Sequence, residues 1–372
     1  MKIKTKLLHI NSYYISGGFY YFLFEKLISI GYDIKVFVPT VKGRILEHKN
    51  SAEYIDISND FLWIDRFFFF KKHKKIYHDL LEKYTNVNKY DIVHAHTLFS
   101  NGYIAYKLKK DYAIPYIVAV RGTDVTFFFQ KMFYLKKLGI QILEEASKII
   151  FISPAHKKTV FELYLSESQR AIIEKKTVVI PNGIDSFWLK NKANGIKQKH
   201  DTLRLIYVGE INDNKNVVLT CEAIQRLVHE GMKISYSIVG KVSNQKIYNK
   251  ICKFPFVEYL GEMSKERLID VYRTNDIFIM VSKSETFGLV YAEALTQGLP
   301  LIYSKGQGFD GFFNEGYVGY SAVSIDKNSI SKAIRKVAEE YDRLALNCVQ
   351  ASSQFSWDEI SRTYDQIYEN IM

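Results

Sequence analysis

VSKSETFGLVYAEALTQGLPLIYS, Val281 to Ser304, reads as the end of a strand, a tight loop, a helix and a second strand in immediate succession. An apolar run, IFIMVS (Ile277 to Ser282), leads in, and Gly288 opens an apolar segment with helical spacing. Gly298 and Pro300 end that segment before the next apolar run, LPLIYS. In an open α/β sheet, ligands bind where strands end and helices begin. A helix start there offers unpaired N–H groups and a partial positive charge, which suit a phosphate. The donors are the N–H groups of Phe287, Gly288 and Leu289, with Ser284 just before them. Glu285 in the loop and Glu293 on the helix can hold hydroxyl groups on either side of that phosphate. Such an arrangement fits a nucleotide sugar.

Working outward, strand and helix patterns alternate along the chain. The first half carries KLLHIN, IKVFVP, DIVHAH, YIVAV, KIIFIS and TVVIPNG as strands, with helical stretches such as GFYYFLFEKLISIG and NGYIAYKLKK between them. Val/Ile-rich strands in repeated βα units imply a parallel sheet covered on both faces. A lysine-rich stretch, LKNKANGIKQKHD (Leu189 to Asp201), interrupts the pattern and reads as a linker. A second series follows: LRLIYVG, KISYSIVG, VEYLG, IFIMVS and LPLIYS. The expected architecture is α/β, with two Rossmann-like parallel-sheet domains facing a central cleft. The first spans 1–188 together with an amphipathic C-terminal helix, 355–372, and the second spans 202–354.

Composition narrows the functional classes. With 372 residues the chain is long enough for two cores, and Lys+Arg 51 against Asp+Glu 40 gives +11, which favours anionic partners. No nucleic-acid motif accompanies the charge. Cys221, Cys252 and Cys348 are widely spaced and odd in number, so they form neither a disulfide framework nor a zinc pattern. The N-terminus reads as a first strand with no cleavage site, and no apolar run is long enough to span a bilayer. The expected location is cytoplasmic, peripheral at the inner face of the plasma membrane.

The E-x7-E pattern in SETFGLVYAEALTQGLP resembles the signature of family 4 glycosyltransferases, which have the two-domain GT-B fold, and the FSW start of the last helix is similar too. The resemblance covers nearly the whole chain and is strongest from Val208 to Ser304. It implies a retaining, metal-independent hexosyltransferase of the bacterial surface-polysaccharide type. The donor is a UDP- or GDP-sugar, and the acceptor a glycan or polyprenyl-linked oligosaccharide. In that reading Glu293 accepts hydrogen bonds from the ribose and Glu285 touches the donor sugar near the transferred carbon. Gly17 and Gly18, after the first strand, face the diphosphate. No D-x-D motif is present to carry a metal, so side chains and N–H groups take its place.

Two positions depart from the family. In VGEINDNKN (Val208 to Asn216), Gly209 and Lys215 match, but Glu210 stands where an arginine of the diphosphate clamp is usual. Lys215 is the remaining cation there, or else a solvated turn lysine. In VAVRGTDV (Val118 to Val125), Arg121 replaces a histidine that lies near the sugar hydroxyls. Arginine offers a fixed fork of donors and no titrating base; its bland alternative is an ion pair with Asp124. These departures leave room for a rival class, a catalytically silent GT-B subunit that binds glycan or a partner transferase. An epimerase acting on the nucleotide sugar alone is a third.

Further residues fall at the cleft: Asn182 in PNGID (Pro181 to Asp185), Gly306 and Gly308 in GQGFDG, and His94 and His96 on one face of DIVHAH. The two histidines invite a metal, but with no further Cys or His cluster beside them in the sequence they read as buried, hydrogen-bonded groups. GQGFDG matches G-x-G-x-x-G formally; no helical pattern follows it, so it is not a dinucleotide fingerprint. Two basic-aromatic segments, RFFFFKKHKK (66–75) and FFFQKMFYLKK (127–137), suit either an anionic membrane surface or core-facing helices with solvated lysines.

Overall fold

The computed structural model describes residues 5–15, 18–43, 52–195 and 197–372. The chain divides into two compact units: Met1–Ile152, His156–Gly183 and Trp357–Met372 form one, and Ser153–Ala155 with Ile184–Ser356 form the other.

The first unit is built on seven strands: β1 (Lys6–Ile10), β2 (Asp33–Val41), β3 (Ile55–Phe61), β4 (Ile92–Ala95), β5 (Tyr116–Val120), β6 (Lys148–Phe151) and β7 (Thr177–Val179). Their order is β3-β2-β1-β4-β5-β6-β7, and every pair is parallel. Successive side chains of a strand point to opposite faces. Leu7 and Ile117 therefore enter one core and Leu8 and Val118 the other. Helices α2 (Phe69–Lys83) and α3 (Ser100–Tyr112) belong to the Leu8 face. The Leu7 face is covered by α1 (Phe19–Ser29) and the C-terminal helix Trp357–Glu369. That last helix buries Trp357, Ile360, Tyr364, Ile367 and Tyr368. At roughly 1.5–3 kcal/mol per large apolar side chain, it contributes on the order of 10 kcal/mol of burial to the unit.

The second unit has β8 (Leu203–Val208), β9 (Ile234–Val239), β10 (Val257–Gly261), β11 (Ile277–Met280), β12 (Leu301–Ser304) and β13 (Gly319–Ala322). They are ordered β10-β9-β8-β11-β12-β13, all parallel. The order reverses between β8 and β11, so the loops after those two strands flank the switch point where ligands bind in such sheets.

Three sequence expectations need correction. Strands β3 and β13 are absent from the sequence reading: IDISNDF alternates apolar residues with polar ones, and GYSA is four residues long. The boundary between units falls inside PNGID, at Gly183/Ile184, ahead of the expected linker. Leu189–Asp201 is fastened to the second unit. Ala193 N–H donates to the Thr296 carbonyl at 2.9 Å, and Lys197 and His200 reach the fully buried Asp276 carboxylate at 3.4 and 2.7 Å. A buried carboxylate requires such partners, so polar residues that resemble a solvated linker are needed as counter-charges. Among the described residues, no helix is long and apolar enough to cross a membrane.

Candidate active site

In the second unit, asparagines shape the loop after β8. The Asn212 side chain accepts the Lys215 N–H at 3.1 Å and caps the turn Asp213–Lys215. Asn216 follows in the left-handed conformation, φ 57°, and its Nδ2 donates to the Val281 carbonyl at 3.2 Å. Asn214 joins this loop to the one after β11: its carbonyl accepts the Lys283 N–H (2.8 Å), its Oδ1 the Ser284 N–H (3.0 Å), and its Nδ2 donates to the Ser284 carbonyl (2.8 Å). Gly209 lies at the root of the same loop, its N–H on the Val239 carbonyl at 2.9 Å.

These contacts bring Lys215 Nζ to 2.7 Å from Glu285 Oε2. The other carboxylate oxygen accepts the Thr286 N–H at 3.1 Å. The Glu285 backbone is held on both sides, its N–H donating to Gln307 Oε1 (3.1 Å) and its carbonyl accepting the Gly308 N–H (2.9 Å). A Cβ at Gly308 would lie 2.4 Å from the Thr286 carbonyl carbon, so only glycine lets the two loops approach this closely. Gly306 belongs to the same turn, its N–H bonded to Asp310 at 2.7 Å. GQGFDG is therefore a brace behind Glu285, and no helix follows it directly.

Gly288 caps the helix Leu289–Thr296 with φ 81°, a conformation glycine adopts without strain. Among the described residues, the N–H groups of Phe287, Gly288 and Leu289 have no protein acceptor. Glu293 is the fifth residue of that helix. Burial, reinforced by the Asp185 carboxylate, pushes its pKa up to about 7 against a hydrogen bond from Trp188. Asp185 itself is held by Lys265 at 2.5 Å. Glu210, which replaces the usual arginine, is bonded to Asn212 at 3.0 Å and to Ser243.

A second group of candidates lies in the first unit. The guanidinium of Arg121 sits over the Tyr20 ring at 5.1 Å; its Nε donates to the His96 carbonyl at 2.7 Å and its Nη1 approaches Asn182 Oδ1 at 3.4 Å. The ion pair with Asp124 does not form. Asp124 instead accepts the N–H groups of Leu98, Phe99 and Arg121. Burial raises its pKa to about 6 despite those bonds.

His94 and His96 are fully buried, and a third histidine joins them. His9 on β1 stands in register with His94 on β4, and its Nδ1 lies 3.0 Å from His96 Nε2. His94 Nδ1 meets the Tyr368 hydroxyl of the C-terminal helix at 2.7 Å. One nitrogen on each ring has no partner: His9 Nε2, His94 Nε2 and His96 Nδ1. Burial lowers the pKa of all three, to about 3 for His9; Arg121 further disfavours charge on the other two. The cluster escaped the sequence reading because His9 and His94 lie on different strands; a histidine near the end of each was the available signal.

Gly18 precedes α1, and a Cβ there would meet nothing within 4 Å. Gly17 lies outside the described residues. Gln307, Asn214, Trp188 and His9 are among the residues of these two groups that sequence reasoning missed. Gln307 lies inside the quoted GQGFDG, but a side chain that binds a distant backbone N–H leaves no pattern.

A charged pair thus stands beside a helix start whose first N–H groups lack acceptors among the described residues, at the switch point of a parallel sheet, and the comparisons show a glycosyltransferase of GT-B type. The profile of the family described as Glycosyltransferase Family 4 matches residues 19–186, and that of Glycosyl transferases group 1 matches 190–355. The chain belongs to the family 4 type of GT-B glycosyltransferases. An uncharacterised glycosyltransferase of Methanocaldococcus jannaschii is 23% identical over 292 residues, 76% of each chain. Among solved structures, the apo lipopolysaccharide outer core galactosyltransferase WaaB superposes with a TM-score of 0.76 at 15% identity, covering 99% of this chain and 100% of that one. Anabaena HepE in complex with UDP-glucose gives 0.67 at 15%, covering 98% of both.

Proposed function

We propose that the protein transfers a hexose, with retention, from a nucleoside diphosphate sugar to a glycan or polyprenyl-linked acceptor in surface polysaccharide synthesis, without a metal. The observation that carries the reading is the Lys215–Glu285 pair at 2.7 Å beside the free N–H groups of Phe287, Gly288 and Leu289. The diphosphate takes those N–H groups and Lys215, which stabilise charge as it develops on the leaving group. Glu285, released from Lys215 by the phosphate, faces the sugar, and Glu293 accepts the ribose hydroxyls. The bond from the anomeric carbon to the β-phosphate oxygen breaks, and the acceptor oxygen bonds to that carbon on the same face. Its proton passes to the departing phosphate, and the nucleoside diphosphate leaves. The UDP-glucose held by HepE and the lipopolysaccharide acted on by WaaB are consistent with this substrate class.

Glu285→Ala should lower turnover by about 100- to 1,000-fold with nucleotide affinity little changed, whereas Glu293→Ala should weaken UDP or GDP binding. Wild-type turnover in both variants removes the assignment. Nucleoside diphosphate release from a donor panel separates an active transferase from a silent subunit.

The same reading places the enzyme on an anionic membrane. Trp63, Phe67, Phe68 and Phe70 are 55–65% exposed, and Phe133 78%. The two basic-aromatic segments adjoin through Phe69 and Phe128, with ring centroids 6.2 Å apart. Phe69, His73, Phe129 and Leu135 turn to the core, so each segment has one packed face and one apolar, lysine-rimmed face. Lysines around exposed rings suit an anionic bilayer interface. The protein should co-sediment with phosphatidylglycerol vesicles, less so at high salt. No sedimentation at low salt rules the surface out.

A further inference from the structure

A small cavity in the first unit, about 130 Å³, is left unused by the transfer chemistry. Ser12, Thr40, Arg66, Lys72, Ser100 and Asn101 contribute to its lining. Ser12 follows β1, Thr40 lies near the end of β2, and Ser100 begins α3, so the cavity sits at the carboxyl ends of parallel strands and beside a positive helix end.

Its two cations lack counter-charges. Among the described residues neither Arg66 nor Lys72 makes an ion pair; the nearby Asp65 is taken by Lys75 at 2.6 Å and by Lys71 at 3.8 Å. Burial, and then the charge of Arg66, lower the Lys72 pKa to about 8. Asn101 is 1% exposed, and neither its Oδ1 nor its Nδ2 has a partner. A buried amide left unbonded costs about 1–3 kcal/mol, and two facing cations repel. An anion with several acceptor oxygens relieves both.

We infer that this cavity binds a phosphoryl group carried by the acceptor. The inference rests on the transfer reading for the word acceptor, and on the first unit alone for the site. Arg66 lies between the exposed Ile64 and Phe67, so the phosphoryl group would enter beside the apolar face. Two sources share this chemistry: the head of a prenyl phosphate and a soluble sugar phosphate.

The test titrates inorganic phosphate into the full-length protein saturated with UDP, followed by calorimetry. Wild type should bind one phosphate, Lys72→Met should weaken it at least tenfold, and Arg66→Gln should weaken it several-fold, with UDP affinity unchanged in both. Wild-type phosphate binding should also weaken as pH rises through about 8, and Lys72→Met should remove that dependence. Citronellyl phosphate and glucose 1-phosphate, run in the same assay, identify the source by which binds more tightly; tighter binding than phosphate by either one supports the inference. Phosphate binding unchanged in Lys72→Met overturns it, as does glucuronate binding as tightly as phosphate. A protein that binds phosphate as described but fails to bind any nucleotide keeps the cavity and loses the transfer reading; normal UDP binding without a Lys72-dependent phosphate does the reverse.

Discussion

In the second unit Lys215 and Glu285 meet at 2.7 Å with 20% and 12% of their side chains still exposed, whereas in the first unit His9, His94 and His96 are fully sealed with one bare nitrogen each. The two arrangements answer different demands. Under the proposed function the Lys215–Glu285 pair must give way to a donor, so its charges stay near solvent and keep each other as provisional partners. The histidine cluster is closed to solvent. It fixes its surroundings: the His96 carbonyl holds Arg121, and His94 meets Tyr368 on the C-terminal helix. Polar residues near a strand end thus read alike in sequence, and only the structure separates a partly exposed pair from a sealed cluster.

The sharpest way to break this comparison is Tyr368→Ala. It removes a buried ring and the partner of His94, and the first unit should lose about 3–5 kcal/mol in denaturant unfolding. UDP affinity, which the proposed function assigns to the second unit, should hold at temperatures where the variant is folded; a parallel fall in affinity would merge the two roles. Gly308→Ala comes next. Its Cβ would press on the Thr286 backbone, costing about 1–3 kcal/mol locally and displacing Glu285, so turnover should fall more than stability.

Acid should act through the histidines. Their folded pKa values are depressed, so the unfolded chain binds more protons below about 6.5. Their contribution is whole above that pH and is lost as pH falls, by up to about 1.4 kcal/mol per pH unit for each ring, with the loss from His9 complete at about pH 3. Urea midpoints across this range should show a shallower slope in His9→Leu. The smallest effect should come from Glu293, whose pKa is raised to about 7. A carboxylate that accepts ribose hydroxyls binds better once ionised, so nucleotide affinity should rise several-fold through pH 7, and Glu293→Gln should flatten the curve.

The strand, helix and strand around Val281–Ser304 were the most legible part of the chain because they sit in one contiguous stretch, where Gly288 and Pro300 mark the turns. Residues that act across distance were invisible: Gln307 on the Glu285 N–H, Trp188 on Glu293, and His9 beside His94. Strand β3 was missed because IDISNDF is half polar, as an edge strand tolerates. The unit boundary was displaced because Lys197 and His200 serve the buried Asp276, and composition cannot tell a bound lysine from a solvated one. The basic-aromatic segments were left open between core and surface, and the structure places residues of each in both.

The C-terminal helix has a consequence for synthesis. The helix Trp357–Glu369 completes one face of a sheet whose first strand begins at Lys6, so that face can close only after the whole intervening unit has been synthesised. The second unit's main segment, Ile184–Ser356, emerges wholly before that helix, which reverses the usual amino-to-carboxyl order of domain completion. Nascent chains stalled so that Ser356 has emerged from the ribosome but the helix after it has not should resist protease in the later unit while the earlier one is still digested, and should recruit chaperones to the bare face of its sheet.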